Sequence, residues 1–283
     1  MCAGAIINSR IKKVYIGTMD EKTGAVGSVL NLFEDYTFNH KVESESGILK
    51  EECDKLNEVF FHYIEKKTPF VAMKYAMTLD GKIAAYTGDS KWVTGEAARN
   101  HVQVLRKKYS GILVGIGTVK EDNPMLNCRI EEGVNPTRII CDSHLSIAED
   151  MQCNIIKTAK EIKTVVAYVK ATEEKKNKLE EAGVILVQAG DNETIDLKLL
   201  LKKIGEMGID SILVEGGGKI HGSFLEENLV NKVYAYIAPK LVGGATAKTP
   251  IGGKGFEKME AARKLKDVQI EQLGEDILVT GYL

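Results

Sequence analysis

The stretch that decides the fold of this chain is Leu213-Val214-Glu215-Gly216-Gly217-Gly218-Lys219-Ile220-His221-Gly222. It begins with apolar residues suited to a buried strand, passes through consecutive glycines, and continues into residues that can form a helix. A strand that ends in a tight turn and leads into a helix is the repeating unit of α/β domains. We therefore expect further strand and helix pairs on both sides of it.

Strands and helices do alternate over most of the chain. Apolar runs predict strands at 70–76, 111–115, 137–141, 164–169, 184–187 and 211–214. Amphipathic spacing predicts helices at 173–182 and 197–207, and a further helix that Thr94 caps with Glu96 in its first turn. This alternation predicts a mostly parallel sheet with helices on both faces.

The two ends of the chain depart from this pattern. Runs at 232–238, 268–273 and 276–282 have little helix between them and are expected to add an antiparallel edge to the sheet. Residues 1–67 predict a helix near Cys2, a strand at 13–17 and a closing helix at about 50–66. A lone strand leaves its edges unpaired, so we expect an incomplete α/β unit that ends at a sharp boundary near Lys67.

Composition limits the classes of function. The net charge is −2 although 28% of the residues are charged, so no broad basic surface for nucleic acid or an anionic membrane is predicted. The longest apolar runs are strand-sized, and no secretory signal is recognisable, which makes the cytoplasm the expected location. The five cysteines form no paired spacing, so no disulfide scaffold is expected.

The glycine cluster at 216–218 is a candidate phosphate site. Glycines there would let phosphates approach the backbone N–H groups at a helix N-terminus. The segment is neither a GxGxxG fingerprint, because His221 stands where the third glycine would be, nor a P-loop, because Ile220 follows Lys219. A purely structural turn explains the segment equally well, so both interpretations stay open at this point.

Other residues are unusual for their surroundings. Asp122 precedes Asn123-Pro124 at the end of a second strand-to-helix unit, where a turn-forming role is the simpler explanation. Trp92 lies in a polar loop, although a ring of that size normally covers a core or a flat ligand. Lys74 lies inside an apolar strand, so its ammonium must pair with a carboxylate or face a polar cavity. Arginine side chains such as Arg106 and Arg129 suit a phosphate group.

Taken together, these motifs resemble the reductase half of bacterial riboflavin-biosynthesis deaminase/reductase proteins. The resemblance covers 68–283, and its motifs occur in the order of the family. The matching stretches are Lys74-Tyr75-Ala76-Met77-Thr78-Leu79-Asp80-Gly81-Lys82, Thr87-Gly88-Asp89-Ser90-Lys91-Trp92, Val114-Gly115-Ile116-Gly117-Thr118-Val119, Asp122-Asn123-Pro124, Val214-Glu215-Gly216-Gly217 and Ile237-Ala238-Pro239-Lys240-Leu241-Val242-Gly243-Gly244.

The resemblance implies a fold similar to dihydrofolate reductase, an NADPH cofactor and a homodimer. It also implies the reduction of 5-amino-6-(5-phosphoribosylamino)uracil to its ribitylamino counterpart. Carried over by position, the residues implied to line the cofactor are Ala76, Trp92, Thr118, Asp122, Ser143, Gly217, Gly218, Lys219, Ile220, His221, Gly222 and Ser223. Those implied to face the substrate are Ser90, Arg106, Leu126, Arg129 and Glu215.

The implied reaction assigns roles to some of these residue types. Opening of the ribosylamine ring gives an imine at C1′ that accepts hydride, so the protein must orient the reactants, anchor the phosphate and supply a proton. Arg106 and Arg129 suit the phosphate. Lys74, if it lies near Glu215, would assist proton transfer or bind ribose hydroxyls, and a structural ion pair is an equal alternative.

Residues 1–67 resemble the second half of a tRNA adenosine deaminase, which would make them a partial cytidine-deaminase-like α/β fragment. Such enzymes hold zinc through H-x-E and P-C-x-x-C segments, of which Cys2 matches the last cysteine. By this resemblance the chain would start inside the zinc motif, and one cysteine cannot hold a catalytic zinc. His40 is a weak substitute, so no metal is expected. The competing functions are a zinc-dependent nucleobase or tRNA deaminase and a non-catalytic nucleotide-binding protein.

Overall fold

The computed structural model describes residues 1–35 and 37–283, which divide into two compact units, Met1–Phe61 and His62–Leu283. The division falls inside a helix, Glu58–Lys66, rather than at the predicted boundary near Lys67. The end of this helix belongs to the second unit, within which the Tyr63 hydroxyl donates a hydrogen bond of 2.8 Å to the carbonyl of Gly205. His62 also packs edge-on against Phe70.

The first unit is small. Its elements are α1 (Cys2–Asn8), β1 (Lys13–Ile16), β2 (Glu43–Ser46), α2 (Lys50–Leu56) and the start of α3 (Glu58–Lys66). The prediction of a lone strand is wrong, because β2 pairs with β1 in parallel from Lys13↔Glu43 to Ile16↔Ser46. The sequence of β2 is Glu-Ser-Glu-Ser, which carries no apolar alternation to reveal it. The single predicted closing helix is likewise two helices, interrupted at Asn57.

The second unit is a nine-stranded sheet with helices. Its strands are β3 (Phe70–Thr78), β4 (Gly111–Gly115), β5 (Thr137–Cys141), β6 (Thr164–Tyr168), β7 (Ile185–Gln188), β8 (Ser211–Gly216), β9 (Lys232–Ala238), β10 (Lys266–Leu273) and β11 (Asp276–Tyr282). Its helices after α3 are α4 (Glu96–Lys108), α5 (Ile116–Asp122), α6 (Asn154–Lys157), α7 (Glu173–Glu181), α8 (Leu197–Glu206) and α9 (Gly218–Glu226).

The strand order is β10-β11-β9-β3-β8-β4-β5-β6-β7. The seven strands from β9 to β7 pair in parallel, whereas β11 is antiparallel to both β9 and β10. The predicted mostly parallel sheet with an antiparallel edge is therefore confirmed. Nearly continuous apolar sequence in β4, β5 and β6 reflects burial on both faces, as expected for parallel strands.

Helices do cover both faces of this sheet. Alternate residues of one strand enter two separate apolar clusters: Leu113 packs with residues of α8 and α9, whereas Ile112 and Val114 pack with residues of α5 and α7.

The predicted N-cap of α4 is wrong. Thr94 does not cap α4, because Gly95 is the N-cap and its backbone N–H donates to the Asp276 carboxylate at 2.7 Å.

A buried cation joins several segments of this unit. Arg138 on β5 is fully buried, and burial lowers the pKa of its guanidinium to about 10. Its N–H groups donate to the carbonyls of Met125, Ile155 and Ile162 and to the hydroxyls of Thr158 and Thr164. Because these acceptors belong to different segments, one side chain satisfies backbone groups that would otherwise be buried without partners.

Replacing Arg138 with methionine should lower the free energy of unfolding by about 3 kcal/mol or more, because several buried acceptors lose their donors together. Urea unfolding at neutral pH measures the effect. The matched control is Arg263→Met at an exposed arginine, which should change stability by less than about 0.5 kcal/mol. Similar stability of the two variants would show that the Arg138 hydrogen bonds are not needed.

Candidate active site

A cavity of about 620 Å³ lies where β3, β4 and β8 end. Because these neighbouring strands are parallel, their carboxyl ends meet at one edge of the sheet, where open α/β sheets bind ligands. The predicted site residues that line the cavity are Lys74, Ala76, Ser90, Trp92, Arg106, Thr118, Asp122, Leu126, Arg129, Glu215, Gly217, Gly218 and His221. The structure thus brings together side chains from across the second unit.

Five residues of the predicted set do not line the cavity: Ser143, Lys219, Ile220, Gly222 and Ser223. Four of them lie on α9, where the helical repeat turns them away from the face that carries Gly217, Gly218 and His221. A side chain at Gly222 would clash with the carbonyl of Gly252, so this glycine serves packing. Ser143 follows β5, and its carbonyl accepts hydrogen bonds from Val169 and Lys170.

The centre of the cavity wall is a buried cluster of three charges. Arg106 forms a two-point contact with Glu215, with Nε 2.7 Å from Oε1 and Nη2 2.9 Å from Oε2. The Nζ of Lys74 lies 3.8 Å from Glu215 Oε2. All three side chains are at most 15% exposed. The predicted proximity of Lys74 to Glu215 is therefore present, and Arg106, which was expected on a phosphate, has this carboxylate as its principal partner.

Burial and mutual charge set the protonation states in this cluster. Burial by itself would raise the pKa of Glu215, but the positive charges of Arg106 and Lys74 hold it down to about 2. Burial lowers the pKa of Lys74, an effect that the Glu215 charge opposes and the Arg106 charge reinforces. The ammonium of Lys74 consequently gives up its proton more readily than an exposed lysine does.

Tyr236 is a neighbour of this cluster that the sequence did not reveal. It lies on β9 and is fully buried, with Lys74 Nζ 5.8 Å from the centre of its ring. Its hydroxyl is 2.7 Å from Nδ1 of His101 on α4. Nothing in the alternating sequence of β9 distinguishes this tyrosine from an ordinary core residue, because its role depends on strand pairing.

The glycine segment forms a second part of the wall. Gly217 is the N-cap of α9 and has no side chain, so among the described residues the N–H groups at the start of this helix receive no side-chain cap. A Cβ on Gly217 would lie 3.4 Å from the hydroxyl of Thr118, and one on Gly218 would lie 2.9 Å from the carbonyl oxygen of Thr249. Glycine at 218 therefore serves close packing against the backbone of 249–252, and both glycines line the cavity at the positive end of the helix.

Two further predicted residues lie at the rim. The ring of Trp92 is 65% exposed, and the Arg99 guanidinium lies over it at 4.7 Å from its centre. Asp122 ends α5 instead of serving as a simple turn residue, and partial burial raises the pKa of its carboxyl. This rim presents a flat aromatic surface and a carboxyl group to the cavity.

The geometry agrees with a family assignment. Residues 69–279 match the RibD C-terminal domain. The chain belongs to the RibD reductase family. It is 50% identical over 279 residues to the riboflavin biosynthesis protein RibD of Actinobacillus pleuropneumoniae, covering 98% of this chain and 73% of that protein. The predicted resemblance of the second unit to riboflavin-pathway reductases is thereby confirmed.

Two further relatives support the assignment to the RibD family. A 2,5-diamino-6-ribosylamino-4(3H)-pyrimidinone 5′-phosphate reductase of Methanothermobacter thermautotrophicus is 36% identical over 220 residues, covering 75% of this chain and 96% of that protein. The crystal structure of a diaminohydroxyphosphoribosylaminopyrimidine deaminase/5-amino-6-(5-phosphoribosylamino)uracil reductase from Thermotoga maritima superposes with a TM-score of 0.82 at 34% identity. The match covers 99% of this chain and 74% of that one.

Grouped metal ligands and membrane-spanning helices bear on the alternative functions. Within residues 1–35 and 37–283, no three His, Cys, Asp or Glu side chains are grouped so that they could hold a metal ion. Cys2 is exposed, and Nε2 of His40 is 2.9 Å from the carbonyl oxygen of Ile11. No helix in the described part of the chain is both long enough and apolar enough to cross a bilayer.

The charge cluster of this RibD-type domain predicts that the protein loses folding stability in acid. The pKa of Glu215 is about 2 in the folded state against an ordinary 4.5, so its contribution to stability is present above about pH 4.5 and is lost as the pH falls towards 2. The difference corresponds to something on the order of 3 kcal/mol. Glu215→Gln should remove this part of the pH dependence and lower stability at neutral pH.

Urea unfolding at a series of pH values between about 2 and 6 measures this effect. The control is Glu174→Gln at an exposed carboxylate. Its free energy of unfolding should depend on pH as that of the unaltered protein does. A Glu215→Gln profile as steep as that of the unaltered protein would show that Glu215 is not the group that titrates.

Proposed function

We propose that this chain catalyses the NADPH-dependent reduction of 5-amino-6-(5-phosphoribosylamino)uracil to 5-amino-6-(5-phosphoribitylamino)uracil in riboflavin biosynthesis. The observation that carries the proposal is the buried Lys74–Glu215–Arg106 cluster, which shares one cavity with the uncapped start of α9. The name of the Thermotoga maritima relative supports the uracil substrate, whereas that of the Methanothermobacter relative favours the 2,5-diaminopyrimidinone.

The residues present fit a nicotinamide dinucleotide. The N–H groups at the start of α9 and the Thr118 hydroxyl suit a pyrophosphate, because they place donors at the positive end of a helix. Ala76 would line the cofactor, and the exposed face of Trp92 offers a surface for a planar ring. When bound, NADPH supplies the hydride that reduces C1′. We assign the choice of NADPH over NADH from the resemblance alone.

The substrate phosphate would be held by Arg129, with Ser90 and Leu126 beside the substrate in the same cavity. Arg129 is exposed, and within the described residues its guanidinium has no acidic partner. Arg106 uses three of its five N–H donors on Glu215 and on the Asn127 carbonyl, which leaves two for a ligand. The cluster as a whole carries one net positive charge, two cations against one anion, which suits a dianionic phosphate.

Lys74 is the proposed proton donor. Among the described residues its Nζ has no hydrogen-bond partner, and it lies 3.8 Å from Oε2 of Glu215. Its N–H groups are therefore available to a ligand in the cavity. Reduction of the C1′ imine leaves a nitrogen that must take up a proton, and a lysine of lowered pKa is suited to give it. Glu215 would hold the ammonium in place. The alternative, a purely structural ion pair, predicts that Lys74→Met keeps its turnover rate.

The remaining assignments rest on the resemblance. We propose that 1–67 is a deaminase-like fragment without a zinc centre, that 68–283 is the reductase domain, and that the enzyme is a cytoplasmic homodimer. Deamination is the second candidate function, and the resemblance of Cys2 to a zinc ligand is the observation that favours it. The absence of ammonia release from purified protein would dismiss it.

The direct test is fluorescence titration with NADPH followed by single-turnover oxidation in the presence of each candidate pyrimidine. We expect saturable binding and oxidation of NADPH that depends on the phosphoribosylamino substrate. Folded protein that neither binds nor oxidises NADPH would favour a non-catalytic binding protein. Faster turnover of the 2,5-diamino compound than of the uracil would reassign the substrate.

Arg129→Ala should raise KM for the pyrimidine substrate by about 10- to 100-fold, because an unpaired guanidinium is lost from the phosphate. KM for NADPH should change less than about 2-fold, because the cofactor contacts lie elsewhere in the cavity. Arg263→Ala, at an exposed arginine, serves as the control in the same steady-state assay. Equal increases in both KM values would contradict the assignment of Arg129 to the phosphate.

A further inference from the structure

One face of α4 lines the cavity. Arg99, Gln103 and Arg106 are spaced four and three residues apart, so they lie along one side of the helix, and all three line the cavity. Gln103 differs from its two neighbours because it is a neutral amide that is only 8% exposed. A buried amide of this kind requires hydrogen-bond partners at both of its ends.

The orientation of the Gln103 amide is fixed by one of these partners. The backbone N–H of Arg129 donates to Oε1 of Gln103 at 3.0 Å. Because a backbone N–H can only be met by an acceptor, the oxygen must face Arg129 and the Nε2 group must face the other way. The amide therefore cannot exchange its two ends without losing this bond.

The Nε2 group of Gln103 is a free donor. Among the described residues it has no hydrogen-bond partner, and part of its surface remains accessible. Since Gln103 is buried but lines the cavity, Nε2 is open to that cavity. The N–H groups of Nε2 are therefore available to a ligand in the cavity.

The surroundings of this donor favour an anion. Gln103 holds the segment that carries Arg129 through the backbone of Arg129, and Arg106 holds the same segment through the carbonyl of Asn127. The nearby carboxylate of Glu215 is already engaged by Arg106 and Lys74. A ligand acceptor next to Gln103 would therefore share the cavity with the guanidinium groups of Arg106 and Arg129, which suits a phosphate oxygen.

We propose that Gln103 is a substrate-binding residue whose Nε2 donates to a phosphate oxygen of the phosphoribosyl group, while its Oε1 holds Arg129 in place. This assignment rests on the proposed function, because it places the phosphate of that substrate beside α4. It also explains why an amide stands here: a carboxylate would hold Arg129 equally well but would repel the phosphate. The ligand class is a sugar monophosphate.

The variant that separates the two roles is Gln103→Glu, which keeps an oxygen for the Arg129 N–H and replaces the donor with a charged acceptor. Competitive inhibition by D-ribose 5-phosphate is the measurement. We expect its Ki to rise by at least about tenfold, with the NADPH Kd unchanged within about 2-fold. Asn100→Glu adds the same charge to the exposed side of α4 and should change Ki less than about 2-fold.

A second measurement uses the unaltered protein and does not depend on the folding of the variant. In a ¹⁵N-correlated NMR spectrum, the side-chain amide signals of Gln103 should shift on addition of D-ribose 5-phosphate and stay in place on addition of D-ribose. Signals that do not move with the phosphate, or that move equally with both sugars, would overturn the proposal.

The outcomes also distinguish this inference from the proposed function. If the unaltered protein binds and oxidises NADPH but Gln103→Glu keeps the Ki of the unaltered protein, the phosphate role of Gln103 fails and the reductase assignment stands. If the unaltered protein does not bind NADPH, the proposed function fails first. Equal losses of NADPH and ribose 5-phosphate binding in Gln103→Glu would mean that Gln103 acts only through the fold.

Discussion

The site depends on the contact between Arg106 and Glu215. Transfer of a carboxylate into a protein interior is unfavourable unless its charge is met by partners of good geometry. Here the guanidinium donates to both carboxylate oxygens, at 2.7 and 2.9 Å, and Lys74 Nζ lies 3.8 Å from Oε2. The same guanidinium reaches the Asn127 carbonyl, so this one contact fixes a strand end, a helix and the segment that bears Arg129.

Parallel pairing of the sheet makes this convergence possible. Lys74 leaves β3 and Glu215 leaves β8, and these strands are neighbours whose carboxyl ends lie at the same edge. The glycines after Glu215 then turn the chain sharply enough to place the start of α9 beside the charged cluster. A cationic cavity next to unpaired N–H groups follows from this geometry, and it suits two phosphorylated ligands in one pocket.

Much of this could be predicted from local sequence, and the failures have physical causes. Strands β4 and β6 are almost entirely apolar because they are buried on both faces, so they are easily recognised. Strand β2 is polar throughout and fully exposed, so no pattern reveals it. Thr94 has the residue type of a helix cap, yet a carboxylate far along the chain, Asp276, meets the N–H of Gly95 instead.

The sequence by itself determined the fold class and the order of most elements. It also singled out the glycine turns and the charged residues inside apolar segments as candidate site residues, because these features depend only on neighbouring residues. Only the tertiary structure decided which charges meet. Arg106 suits a phosphate from its residue type alone, but its main partner is Glu215, more than a hundred positions away. Gln103 reaches the cavity only through the packing of α4, and Tyr236 comes near Lys74 only through the pairing of β9 with β3, since neither packing nor pairing is encoded in local spacing.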